Sequence, residues 1–415
     1  MLPPGAVRPD YTGYCLSSVP ATVLSILGVD SPRPKLPADA LGDVETAGVE
    51  KVILLVCDGF GFREWKNQAG RGFVKAISEK GNVRPITTVF PSTTAAALTA
   101  ICTGLTPQEH GLPEWYVYMS EIGEIIVSLP FTRPGEYGRD TLLGTLSPKA
   151  LLNERTIFQR LKAEGVKSVT FVNRPLAHTA YSTLSRAGSD LSPYMTASDF
   201  AVSLRRRVEA SRGPTLFYAY WPYVDTVEHT YGPNTEEAEV EASLISHALQ
   251  EGLLSKMSKE AAKKTLILVT ADHGQVNVVP EKLLYMNRWT KLSRAFAKAP
   301  SGKSILPWGG ARDLFMQIEE GRLDETIGYL EDKFAGTASI IKTDDLIRQG
   351  MFGINKPSGR FRRRVGNLMI LPHGTKTAWY RYRKGDSLTV KGHHGGLTKD
   401  EMTIPLAAAR VSDLL

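Results

Sequence analysis

Cysteine is scarce in this chain: Cys15, Cys57 and Cys102 are the only three in 415 residues. Their positions show no metal-type spacing, and an odd, small number supports no disulfide framework, so an intracellular setting is expected. Long apolar runs are missing as well. No stretch approaches the roughly 18 apolar residues of a membrane span, and the opening MLPPGAVRPDYTGY lacks a charged region followed by an apolar signal core. A soluble, cytoplasmic protein without membrane association is the expectation. Neither charge sign dominates: 50 Lys and Arg against 43 Asp and Glu leave a formal +7. Part of that excess sits at Arg205 to Arg207 and at Arg360, Arg362, Arg363 and Arg364. Such short runs are expected on solvated helix faces or loops. They suit attraction of a small phosphorylated substrate better than a stable nucleic-acid partner.

What is present is globular. An apolar content of 42% with 22% charged residues, no repeat and no low-complexity tract describe a chain able to build a large core. The length fits one large α/β domain with an insertion, or two domains of ordinary size. Oligomeric state is not legible from these features.

The stretch TTVFPSTTAAALTAICTG, Thr87 to Gly104, is the centre of the chain. Thr87 to Phe90 reads as a β-branched strand end, Pro91 and Ser92 as a turn, and Ala95 to Cys102 as an alanine-rich helix closed by Gly104. Thr94 then stands at a strand-to-helix corner, where unpaired amides and the positive end of the helix dipole favour an oxyanion. An ordinary helix cap would explain Thr94 alone, because a threonine hydroxyl needs a base or a metal to become a nucleophile.

Other strand ends supply those groups. Lys51 to Cys57, KVILLVC, is a continuous apolar run suited to a central parallel strand, and Asp58 follows it directly. Thr215 to Tyr220 leads into Asp225 and His229, four apart as on one face of a helical turn. Thr265 to Thr270 is followed by Asp272 and His273, which can converge only if the chain has left the strand and turned. His394 lies in the glycine-rich KGHHGG, with His393 beside it as a possible substrate contact. Ligands of open parallel sheets bind at the carboxyl ends of strands. Six carboxylate and imidazole ligands with one hydroxyl make a two-metal site. His110, His178, His247 and His373 read as structural.

The organisation expected is an N-terminal arm over 1–48, a catalytic α/β core over 49–279, an inserted cap over 280–391 and a return to the core over 392–415. Further strands are expected at Lys167 to Val172, Asp313 to Ile318, Ser339 to Ile341 and Asn367 to Leu371. Helices are expected at Glu154 to Lys162, Glu236 to Met257 and Asp324 to Phe334.

Five blocks in order carry a resemblance: VCDGFG with Asp58, FPSTTAAALTAICTGLTPQEHG with Thr94, DTVEHTYGP with Asp225 and His229, TADHG with Asp272 and His273, and GHHGG with His394. Together they resemble the type I phosphodiesterase and nucleotide pyrophosphatase branch of the alkaline phosphatase superfamily. The resemblance implies an alkaline-phosphatase-like α/β fold, with a mainly parallel central sheet flanked by helices. It implies one metal on Asp225, His229 and His394 and a second on Asp58, Asp272 and His273, zinc in both places. Thr94, ten residues before Gly104, becomes the nucleophile between them. The implied activity is hydrolysis of phosphodiester or pyrophosphate bonds in a nucleotide-like substrate through a phosphothreonine. A phosphate monoester or a phosphonate such as phosphonoacetate is the alternative substrate class, and a non-catalytic binding module the alternative of another kind. One departure is Ala97, at a position where the resemblance leads one to expect an asparagine helping to bind the phosphoryl group.

Overall fold

The computed structural model describes residues 1–383, 385 and 387–415. Its centre is a seven-stranded sheet built from β1 (Lys51–Cys57), β2 (Asn82–Thr87), β3 (Lys167–Asn173), β4 (Asp190–Tyr194), β5 (Thr215–Trp221), β6 (Thr265–Thr270) and a late strand, Thr403–Arg410. Every residue of β1, β5 and β6 is buried, as expected of apolar runs covered by helices on both faces. The strands from β6 through β1, β5 and β3 to β4 pair parallel. Thr403–Arg410 runs antiparallel to both β6 and β2, so β2 points the same way as the parallel set.

Before that last strand the chain builds a second, four-stranded antiparallel sheet. Its strands are β7 (Trp308–Gly310), β8 (Asp313–Met316), β9 (Ala338–Lys342) and β10 (Leu368–Pro372), in the order β7-β8-β10-β9. Thr403–Arg410 is therefore β11, and the large sheet has the order β2-β11-β6-β1-β5-β3-β4. The small sheet has apolar clusters of its own, one centred on Trp308, Phe315 and Met369 and one on Leu314, Met316 and Ile370. Alternation along β8 and β10 sends neighbouring residues to opposite faces, so both faces are covered.

Several elements differ from the sequence expectation, each for a visible reason. β2 ends at Thr87 rather than continuing to Phe90. It carries Pro85, which a central strand would not tolerate but an edge strand does. Pro405 in β11 lies before the stretch that pairs with β6, where no ladder to that strand is broken. The helix expected to reach Met257 is α-helical only over Glu236–Leu249 and continues as a π-helical turn, Gln250–Leu254. The arginine run near residue 360 is not wholly solvated. Arg364 is buried, and its guanidinium donates to the carbonyls of Gly111, Leu151 and Ala150, tying the small-sheet region to the first half of the chain. Burial lowers its pKa to about 9. The cysteines are all buried and free, and among the described residues no helix is long and apolar enough to cross a membrane.

Candidate functional site

Asp58, Thr94, Asp225 and Asp272 all lie just beyond carboxyl ends of the parallel set, after β1, β2, β5 and β6 respectively. The helix after β2, α1 (Thr94–Thr103), starts at Thr94 because Thr93 is its cap: the Thr93 hydroxyl accepts from the Ala96 amide and donates to the Pro113 carbonyl. Gly104 closes α1 in the left-handed region at φ 71°. The Thr94 hydroxyl is left to face the site, 3.1 Å from His273 Nε2. Asp225 and His229 sit on α2 (Tyr223–Tyr231), one turn apart. Gly59 lets α2 come close: at φ 73°, a Cβ there would stand 2.8 Å from the Asp225 Cα.

The three imidazoles share one orientation device. His229 Nδ1 lies 2.8 Å from the Gly392 carbonyl, His394 Nδ1 3.0 Å from the Ser92 carbonyl and His273 Nδ1 3.3 Å from the Gly274 carbonyl. A carbonyl can only accept, so Nδ1 carries the proton and Nε2 presents a lone pair, the arrangement that orients histidine ligands in metal sites. The carboxylates are anchored by one oxygen each. Asp272 Oδ1 accepts from the amides of Gly59 and His273, Asp58 Oδ2 from the Tyr220 hydroxyl, and Asp225 Oδ1 from Gln275 Nε2 at 2.5 Å. The remaining oxygens, Asp58 Oδ1 and Asp272 Oδ2, are buried without a partner. They lie 3.5 Å and 3.4 Å from His273 Nε2. On the other side, His229 Nε2 and His394 Nε2 lie 3.4 Å and 3.6 Å from Asp225 Oδ1.

Two donor groups therefore abut, one around His273 and one around Asp225. Donor atoms of Asp225, His229 and His394 all fall within 4.8 Å of one another, and so do those of Asp58, Asp225 and His273. The second triplet contains Asp225 where the resemblance implied Asp272. The short Asp272 to His273 distance keeps Asp272 in the same group, and Asp225 stands at the border of both.

The electrostatics describe a site short of positive charge. Burial, then the neighbouring Asp272 and Asp225 carboxylates, push the Asp58 carboxyl well above the usual range, and burial raises Asp272 to about 6. Burial also holds His273 down to about 4 and, with His273, His229 and His393 beside it, lowers His394 far below its ordinary value. The His273 and His394 rings stack at 3.6 Å, so protonating both would set like charges face to face. Orphaned carboxylate oxygens and neutral, correctly turned imidazoles fit divalent cations, and the nitrogen and oxygen donor mix suits zinc.

A cleft of about 430 Å³ opens over Thr94, Asp225, His229, His393 and His394. His393 lines it, its Nδ1 accepting from the His394 amide. The outer wall is apolar and joins two distant segments, Trp115 and Tyr116 from the first half with Trp379, Leu388 and Val390 from beyond the small sheet. Ala97 does not line this cleft. It is wholly buried within α1 among the core of the large sheet. His110 is structural, its Nε2 on the Ala96 carbonyl and its Nδ1 on the Leu112 amide.

Several neighbours of the site were not singled out from sequence. Tyr220 and Gln275 adjoin ligand-bearing motifs, and that adjacency was the signal available. Glu114 and Asp313 had none: Glu114 lines the cleft, Asp313 is buried with both carboxylate oxygens unpartnered, and each raises or perturbs the other's ionisation. Arg312 and Glu401 form a fully buried pair with two contacts of 2.9 Å, and Glu401 also accepts from the Gly396 amide.

Comparison with known proteins points the same way. The type I phosphodiesterase / nucleotide pyrophosphatase model matches residues 52–397. An uncharacterized pyrophosphatase/phosphodiesterase of Schizosaccharomyces pombe is 29% identical over 102 residues, which is 24% of this chain and 19% of that protein's length. Murine ectonucleotide pyrophosphatase / phosphodiesterase 5 has a similar fold, with a TM-score of 0.63 at 17% identity over 87% of this chain and 88% of its own. Phosphonoacetate hydrolase from Sinorhizobium meliloti 1021, solved with phosphonoformate, is similar with a TM-score of 0.59 at 18% identity over 88% of this chain and 94% of its own. With the five motifs gathered at one sheet edge and the family model running through all of them, the chain belongs to the type I phosphodiesterase / nucleotide pyrophosphatase family.

Proposed function

We propose that the protein is a two-metal phosphohydrolase that cleaves phosphodiester or pyrophosphate bonds of a nucleotide-like substrate, with Thr94 as nucleophile. The observation that carries this reading is the Thr94 hydroxyl at the first turn of α1, beside two abutting donor groups at the carboxyl ends of neighbouring strands. Asp225, His229 and His394 would hold one ion, and Asp58, Asp272 and His273 the other. Two divalent ions, zinc by donor chemistry, supply the positive charge that lowers the hydroxyl's pKa and neutralises the phosphoryl oxygens.

The chain's own groups do the rest. Thr94 Oγ1, its proton lost to solvent, forms a bond to phosphorus as the bond to the leaving oxygen breaks and that oxygen takes up a proton from solvent. The phosphothreonine-type intermediate is then hydrolysed by water entering from the vacated side, which releases Thr94 as the hydroxyl. Two inversions give net retention. Amides at the start of α1 favour the anionic phosphoryl group, and the wall of Trp115, Tyr116 and Trp379 receives the apolar face of the substituent. His393 reaches the same cleft as a substrate contact. In this reading the segment 280–391 acts as a cap on the core.

A nucleotide is favoured because murine ectonucleotide pyrophosphatase / phosphodiesterase 5, whose fold is similar, has been solved as an inactive threonine-to-alanine variant in complex with AMP. A phosphonate is the second reading, supported by the fold shared with phosphonoacetate hydrolase. A non-catalytic relative would be expected to have lost part of the set, whereas Thr94 and all six ligands are present. The test is metal-reconstituted protein assayed in parallel on bis-p-nitrophenyl phosphate, p-nitrophenyl phosphate, phosphonoacetate and a nucleotide panel. Cleavage of the diester and of nucleotides is expected to exceed the others. Preference for phosphonoacetate selects the second reading, and no turnover of any substrate rejects both.

A further inference from the structure

Behind the candidate metal ligands lies a separate cavity of about 340 Å³, between the helix Phe62–Gln68, the back of α2 and α3 (Glu236–Leu249). Glu64, Asn67, Glu228, Asn234 and Thr235 line it. Glu228 is 0% exposed and neither of its carboxylate oxygens has a partner; Glu64 is 7% exposed and its Oε2 is likewise unpartnered. The nearby cation is already committed: Arg63 spends Nε and Nη2 on Glu64 Oε1 and Nη1 on Asp400 Oδ2. That guanidinium is shared between Glu64 and Asp400, while Glu228, which lines the cavity with Glu64, has no hydrogen-bond partner on either oxygen. A buried carboxylate without a partner is neutralised either by a proton or by a bound cation.

We propose that this cavity is a distinct cation site, holding a hard divalent ion, Ca²⁺ or Mg²⁺, on Glu64 and Glu228 with water and the amide oxygens of Asn67 and Asn234. The donors are all oxygen, with no histidine or cysteine among the lining residues, which selects this class of ion over the nitrogen-liking metals of the catalytic cleft. Room for several water ligands suits an ion that keeps part of its hydration shell. The site also has a mechanical consequence. Glu228 lies on α2 between Asp225 and His229, so an ion bridging it to Glu64 fixes from behind the helix that presents both ligands in front.

The experiment uses the full chain, stripped with chelator, reloaded with zinc and then given CaCl₂ or MgCl₂ at about 1 mM. Metal analysis after equilibrium dialysis should find one Ca²⁺ or Mg²⁺ bound in addition to the zinc, with a melting temperature raised by several degrees. Glu64→Gln/Glu228→Gln should lose that ion and the melting response while keeping its zinc. Glu64→Gln alone, a milder change, should weaken Ca²⁺ or Mg²⁺ binding at least about tenfold. A wild type that binds neither ion beyond zinc overturns the site, as does either variant retaining wild-type affinity. No turnover is measured, so the outcome is independent of the reaction proposed above.

Discussion

At the scale of single residues, the proposed function assigns the two neighbouring threonines of one corner different tasks, Thr93 the helix cap and Thr94 the attack. Thr94→Ala should lower turnover by several orders of magnitude while zinc stays bound, since the aspartates and histidines supply the coordination and the hydroxyl only attacks. Thr94→Ser should keep part of the rate, because its hydroxyl can occupy the same place with a freer rotamer. Acid quench during turnover followed by peptide mass spectrometry reads the assignment directly, and phosphate found on Thr93, or on no threonine while an intermediate accumulates, would sink it. Glu114 makes a second prediction. Burial raises its carboxyl from the ordinary 4.5 to about 8, and the Asp313 carboxyl beside it is raised too, so the pair keeps a proton at neutral pH. An acid whose folded pKa is raised contributes stability that is fully present below the unfolded value and is lost as pH rises through the folded one. The melting temperature of the zinc-loaded protein should therefore fall between about pH 5 and pH 9, and Glu114→Gln should flatten that slope. Identical slopes for wild type and variant would show that Glu114 ionises freely.

At the scale of elements, the helix cap and the buried clamp are separable from the chemistry. Thr93 caps α1, so Thr93→Ala should cost about 1 kcal/mol of stability and much less activity than Thr94→Ala, measured by denaturant unfolding beside initial rates. The Arg312–Glu401 pair joins the start of β8 to the turn that follows His394, and both side chains are 0% exposed. Glu401→Gln leaves a buried guanidinium half paired and should cost about 3 to 5 kcal/mol. It should also loosen His394, seen as weaker zinc retention during dialysis. A variant within about 1 kcal/mol of wild type, with zinc held as before, would mean that the clamp is replaceable.

At the scale of the whole molecule, the site is a concentration of like charge that the fold tolerates beside its own core. Chelation should abolish activity and zinc should restore it; activity that survives thorough chelation removes the mechanism. The metal-free protein should also lose melting temperature as pH rises through about 6, because Asp272 is raised to that value and must ionise without a counter-charge. Zinc should suppress this slope. Much of this architecture was legible in the chain alone. KVILLVC and TLILVT are continuous apolar runs, and such runs have few alternatives to a strand buried on both faces, so β1, β6 and the polar residues at their ends could be read directly. The candidate ligands were equally legible, because histidine and aspartate directly after such strands have a local signature. Other features had none. β2 and β11 contain prolines that hide a strand until its edge position or its pairing partner is known. Glu114 meets Asp313, Arg364 meets the Gly111 carbonyl and Arg312 meets Glu401 across separations that no periodicity spans. Motif and local pattern are properties of consecutive residues, and they determined the family, the central strands and which residues are candidate ligands. The partners of buried charge and the wall of the cleft depend on which distant segments close upon each other, and only the tertiary structure decided those.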